Sequence, residues 1–187
     1  MSRLSAVPAL CALAYLAVLG LATPSAAGVE EARAVATAEG VPLVWLDPFV
    51  PEVTAFDAAD AEAGGVGDLS RYEGRVAVVN WWATWCAPCR EEMPYFQALA
   101  DAMPEVAVVP LAFGRHNPAA MQRFWDEAGI ATLPLHRDMG GLARSVGVRG
   151  LPHTVVLDPE GRVVAELVGI TDWAAPSMQA VLAALAE

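Results

Sequence analysis

The apolar positions of this chain fall into a few near-continuous runs, separated by stretches in which apolar residues recur every three or four places. Residues 76–82 are nearly all apolar, as in a strand buried on both faces, and residues 106–113 repeat the pattern. Between them, 86–103 places Met93, Phe96, Leu99, Ala100 and Met103 on one helical face, and Pro94 predicts a kink near Arg90. Asn117 followed by Pro118 predicts a helix start, and Gly129 its stop. A short strand over 133–136 and a helix over 141–146 follow. Residues 153–157 and 162–169 read as strands joined by the turn Asp158-Pro159-Glu160-Gly161. Asp172 is placed to cap a last amphipathic helix over 173–186. Upstream, residues 53–56 predict a short edge strand, and Asp68 caps a turn over 69–72. Strand–helix–strand–helix, then a strand hairpin and a helix, implies a parallel βαβ unit extended by an antiparallel hairpin. This is an α/β fold with a central mixed sheet flanked by helices on both faces.

The N-terminus has a different pattern. Arg3 is followed by a charge-free stretch through Val29, with an apolar core over 6–22 and the small residues Ser25-Ala26-Ala27. Residues 1–27 read as an export signal peptide or an N-terminal membrane anchor, 28–48 as a linker whose alanine-rich part over 29–40 reads as a short helix or as linker, and 49–187 as the folded domain. The expected location is periplasmic, either free or tethered to the inner membrane by that segment. Outside the reducing cytosol, disulfides persist. The formal charge of −11, with no lysine, argues against nucleic acid or an anionic membrane face as the main partner.

Of the three cysteines, Cys11 lies within the apolar leader and reads as a small apolar residue there. That leaves Cys86-Ala87-Pro88-Cys89, set between a buried strand and a helix. Residues three apart lie on one helical face at a separation a disulfide bridges. A cysteine near the N-cap meets unpaired N–H groups and the positive end of the helix dipole, which lower a thiol pKa from ~8.5. Cys86 is therefore the expected nucleophile and Cys89 the deeper, resolving thiol. A purely structural bridge over so small a loop adds little chain-entropy stabilisation. Zinc wants four ligands, and His116, His136 and His153 lack paired spacing with the cysteines. A two-thiolate Cu(I) site, as in a copper-delivery protein, stays open as an alternative.

The segment Asn80-Trp81-Trp82-Ala83-Thr84-Trp85-Cys86-Ala87-Pro88-Cys89-Arg90-Glu91-Glu92-Met93-Pro94 resembles the active-site signature of the TlpA-like branch of thioredoxin-like proteins, which includes ResA-like reductases. Gly150-Leu151-Pro152-His153-Thr154-Val155-Val156-Leu157-Asp158-Pro159-Glu160-Gly161 resembles the branch's second signature. The resemblance implies a thioredoxin fold and a protein thiol-disulfide oxidoreductase working by dithiol exchange, without a cofactor. It makes Pro152 a cis-proline facing the cysteines and exposes the Leu151 backbone to a partner segment, with Trp85 shaping the docking surface. Asn80 stands where ordinary thioredoxins carry a buried aspartate, and an amide cannot take up a proton. Glu92 is the candidate substitute base, with first-turn dipole stabilisation as the alternative role for Glu91 and Glu92. His153 stands where the branch leads one to expect threonine. The implied clients are protein disulfides, either apocytochrome c or copper-site cysteines, with electrons from a membrane thiol donor of the DsbD or CcdA type.

Overall fold

The computed structural model describes residues 24–58, 66–115 and 117–187. Residues 1–23, with Cys11 and most of the expected leader, and His116 lie outside the described residues. The elements are α1 (Pro24–Glu39), β1 (Val44–Phe49), β2 (Ala55–Asp57), β3 (Val66–Asp68), β4 (Ala77–Trp82), α2 (Ala87–Ala102) and β5 (Ala107–Phe113). They continue with α3 (Pro118–Ala128), β6 (His136–Asp138), α4 (Gly141–Val146), β7 (His153–Leu157), β8 (Val163–Val168) and α5 (Pro176–Leu185). A 3-10 turn, Leu69–Tyr72, follows β3 and is capped by the Asp68 carboxylate, which accepts from Ser70 N–H.

The strands form one mixed sheet in the order β1-β8-β7-β4-β5-β6-β2-β3. Central β4 runs parallel to β5 and antiparallel to β7, as the βαβ unit and hairpin require. Side chains alternate across β4. Val78 and Trp82 join the core packed by α1, α2, α3 and α5, while Ala77, Val79 and Trp81 join the core on the other face, packed by α4 and Leu69. Both faces are covered, which is why β4 reads as a continuous apolar run. This is a thioredoxin-like α/β architecture.

Several features differ from the sequence expectation, among them the strand expected over 133–136, which is β6 at His136–Asp138. Residues 28–48, expected as a linker, are built into the domain. Val29, Ala32 and Ala36 form an apolar stripe on α1 that is buried, and α1 lies against α5. Strand β1 pairs antiparallel with β8, through Val44↔Glu166, Trp45↔Ala165 and Phe49↔Val163, with an irregularity between Trp45 and Phe49. Pro48 lies in that irregularity, where a missing N–H is tolerated. The strand expected at the edge over 53–56 is β2, which sits between β6 and β3 instead. The last helix begins at Pro176 rather than at residue 173, because Asp172 caps only the local turn, accepting from Ala174 N–H. Among the described residues, no helix is long and apolar enough to cross a membrane.

If α1 belongs to the folded unit, a charge at the fully buried Ala32 must destabilise the whole domain. Ala32→Asp is expected to lower unfolding stability by about 3 kcal/mol or more. A linker position would respond within about 0.5 kcal/mol. The urea midpoint of the oxidised protein measures the difference.

Candidate active site

Strand β4 ends at Trp82, and a tight turn in which Cys86 N–H donates to the Ala83 carbonyl at 3.0 Å delivers Cys86 to the start of α2. Cys86 is the N-cap residue: its backbone is extended, and its Sγ accepts from Cys89 N–H at 3.3 Å. A sulfur thus does the work that Ser or Asp does at other helix starts. Pro88 sits in the first turn, where its missing N–H costs nothing. Cys86 and Cys89 are joined as a disulfide, with Cα atoms 5.3 Å apart. Cys86 is 5% exposed and Cys89 1%, so the first sulfur is the one nearer to solvent.

The peptide bond between Leu151 and Pro152 is cis. Antiparallel pairing of β7 with β4, with His153 opposite Trp81, carries residues 150–152 alongside the turn that leads to Cys86. The Pro152 carbonyl accepts from Gly169 N–H at 3.0 Å, tying the cis turn to the end of β8. Leu151 and Gly150 line a cavity of about 270 Å³ with Trp85, Phe113, Val148 and Arg149. Trp85 is 73% exposed, a large apolar surface beside the sulfurs.

Glu92 lies one turn beyond Cys89 on α2, and it is buried. Its Oε1 accepts from Trp173 Nε1–H at 2.8 Å and from Thr171 N–H at 3.2 Å. Its Oε2 faces Asn80 Nδ2 at 3.5 Å, a long contact, while that amide donates to Thr154 Oγ1 at 3.0 Å. Burial pushes the carboxyl pKa up to about 7, opposed by the Trp173 and Thr171 hydrogen bonds. The site therefore holds a disulfide and, three residues beyond Cys89 on the same helix, a buried carboxyl group whose pKa is raised to about 7.

Other residues singled out in the sequence sit elsewhere. His153 shares the Trp81 side of the sheet, with its ring edge-on to Trp81, away from the face that carries α2. Its Nδ1 accepts from Arg149 N–H at 3.4 Å, and its Nε2 lies 3.3 Å from Glu166 Oε2. Burial lowers its pKa, against the opposing pull of Glu166. Glu91 is exposed. Among the described residues, no group of three or more His, Cys, Asp or Glu gathers as a metal site. Sequence reasoning missed Trp173, Thr171 and Thr154 around Glu92, and Phe113 beside Trp85. A lone tryptophan in the polar stretch Thr171-Asp172-Trp173 was the one available signal.

The raised Glu92 pKa has a consequence for stability. Folding binds this proton more tightly than the unfolded chain does. The stabilisation is full below about 4.5 and is lost as pH rises through about 7. The span corresponds to roughly 3 kcal/mol. Glu92→Gln is expected to flatten that part of the stability curve, as measured by urea unfolding of the oxidised protein at about pH 4 and about pH 8.

Comparison with known proteins agrees with this geometry. Residues 50–166 match the AhpC/TSA family. The thiol-disulfide oxidoreductase ResA of Bacillus thuringiensis subsp. konkukian is 30% identical over 120 residues, covering 63% of this chain and 68% of ResA. The thiol:disulfide interchange protein HelX of Rhodobacter capsulatus is 33% identical over 129 residues, covering 68% of this chain and 65% of HelX. Among solved structures, a thiol:disulfide interchange protein DsbE from Chlorobium tepidum superposes with a TM-score of 0.61 at 26% identity, covering 75% of this chain and 99% of that one. With a CxxC disulfide at a helix start, a cis-proline turn beside it and these relatives, the chain belongs to the AhpC/TSA family and is a ResA-like thiol-disulfide oxidoreductase of thioredoxin-like fold.

Proposed function

We propose that this protein is an exported reductase of protein disulfides, acting on the cysteines of apocytochrome c or of an oxidase copper site. We assign Cys86 as nucleophile, Cys89 as resolving thiol and Glu92 as the base that serves Cys89. The observation that carries these roles is the sulfur of Cys86 at the N-cap of α2, accepting from Cys89 N–H while the second cysteine sits deeper. Support for the client class comes from the relatives, which bear the names ResA, HelX and DsbE. The uncharged N-terminal stretch supports export, with a membrane tether if it is retained.

The reaction begins with both cysteines reduced. Cys86 thiolate attacks one sulfur of the client disulfide; that S–S bond breaks, and the other client sulfur leaves as a thiolate that takes up a proton. The client is now joined to Cys86. Cys89 gives its proton to Glu92 and attacks Cys86 Sγ. The mixed disulfide breaks, the client departs as a dithiol, and two electrons have passed from Cys86 and Cys89 to it. The Cys86–Cys89 disulfide is the state present in this structure. A membrane thiol donor of the DsbD or CcdA type returns the two electrons.

In this scheme Trp85 and Leu151 bind the client. The cis bond before Pro152 presents Leu151 backbone groups to an extended client segment, and Trp85 covers its apolar side chains. Among the described residues no charged side chain contributes to holding Glu92 ionised, so burial sets its proton affinity near the working pH.

Cys86→Ser is expected to abolish reduction of an insulin disulfide, and Cys89→Ser to accumulate mixed disulfides with clients that thiol-reactive gel shifts detect. An active Cys86→Ser protein contradicts the assignment. Glu92→Gln is expected to slow resolution of a preformed mixed disulfide by about a hundredfold above pH ~7. It is also expected to remove the rise in rate through that pH. Stopped-flow release of a labelled peptide thiol gives both quantities.

A further inference from the structure

The Glu92 carboxylate is held asymmetrically. Both N–H donors, Trp173 Nε1 and Thr171 N, converge on Oε1. Among the described residues, Oε2 meets only the long contact from Asn80. Asn80 Oδ1 is buried and has no hydrogen-bond partner among the described residues. An oxygen receiving two N–H groups is favoured as the anionic one, because neither donor accepts a proton in return. Protonation therefore falls to Oε2. There the Asn80 side chain offers either a donor or, with its amide turned over, the Oδ1 acceptor that a carboxyl O–H needs.

Given Glu92 as the base for Cys89, we propose that Trp173 is a positioning residue whose indole N–H pins Oε1, aims Oε2 toward Asn80 and so sets the proton affinity of that base. Trp173 suits this task. It is fully buried and its ring stacks on Phe96 of α2 at 5.3 Å, so the N–H is aimed by packing from the same helix that carries Glu92. The bond also ties the segment between β8 and α5 to the helix of the cysteines, across 81 positions of chain.

The groups facing the Glu92 carboxyl are Asn80 from β4 and Thr171 and Trp173 from the β8–α5 segment, with Cys89 three residues back on the same helix. Burial raises its pKa, Trp173 and then Thr171 lower it, and no charged side chain among the described residues contributes. In the resolving step the Cys89 proton passes to Oε2, Cys89 sulfur bonds to Cys86 Sγ, and the client sulfur leaves with the electron pair of the broken bond. Removing the indole N–H destabilises the carboxylate and leaves the protonated acid largely untouched, so the affinity for the proton rises.

The test is a carboxyl titration of the intact oxidised protein by 13C NMR with labelled glutamate, the Glu92 signal being identified by its loss in Glu92→Gln. Trp173→Phe and replacement of Trp173 by 3-benzothienylalanine, which keeps the ring shape but carries no N–H, are both expected to move the midpoint upward by about one pH unit. That is a tenfold gain in proton affinity. The pH profile of mixed-disulfide resolution is expected to move upward with it. Should Trp173→Phe fail to fold, the benzothienyl protein decides alone. A midpoint within about 0.2 unit of the parent's overturns the proposal. Failure of Glu92 as the base is a separate result: Glu92→Gln would then leave the resolution profile unchanged, whatever the carboxyl midpoint does in the Trp173 variants.

Discussion

The hydrogen bond from Cys89 N–H to Cys86 Sγ is the interaction on which the rest of the site depends. It makes a sulfur the cap of a sixteen-residue helix, where unpaired N–H groups and the helix dipole favour negative charge. The fold supplies that helix start in a fixed place. Strand β4 is clamped between parallel β5 and antiparallel β7, buried on both faces, and hands the chain to α2 at its end. Because β7 runs antiparallel to β4, the cis turn that begins it arrives at the same end of the sheet. Sulfur pair and cis-proline are thus brought together by strand direction rather than by nearness in sequence.

The second constraint is a carboxyl group kept out of water. Glu92 sits among Trp173, Thr171 and Asn80 with no cation beside it among the described residues, which is costly for the ionised form and leaves the group balanced near neutrality. An ordinary buried ion pair in the same place would hold it ionised and useless as a reversible proton acceptor. The two sides of the site therefore divide the chemistry. On the solvent side Trp85 and Leu151 line a cavity, and in the proposed scheme they meet the partner while the buried carboxyl takes the proton.

Much of the fold was legible because its central elements bury apolar surface on both faces or along one stripe. Strands β4, β5, β7 and β8, helices α2, α3 and α4, and the caps at Asp68 and Asn117 all carry period, cap or turn signals in the local sequence. The peripheral elements do not. Strand β1 is a half-buried edge interrupted by Pro48, and β3 is three residues long with a glycine inside. The buried stripe of helix α1 is short and mostly alanine, Val29 with Ala32 and Ala36, so a short helix is legible there but its docking on α5 is not. At the site, spacing marks Cys86 and Cys89, while Glu92 and Pro152 stand out only through resemblance to the two signatures of the TlpA-like branch. Trp173 is not, since its relation to Glu92 exists only once 81 residues of chain have folded between them. Phe113 is hidden likewise, being the last residue of a strand that otherwise reads as core.

The most direct measurement of the central claim is the ionisation of Cys86 in the folded, reduced protein, followed by the pH dependence of iodoacetamide alkylation in the Cys89→Ser variant. A midpoint clearly below ~8.5, with reaction in the native state, is what a sulfur at the helix start predicts. A thiol that ionises only at ~8.5 or above, or that does not react until the protein unfolds, would contradict it.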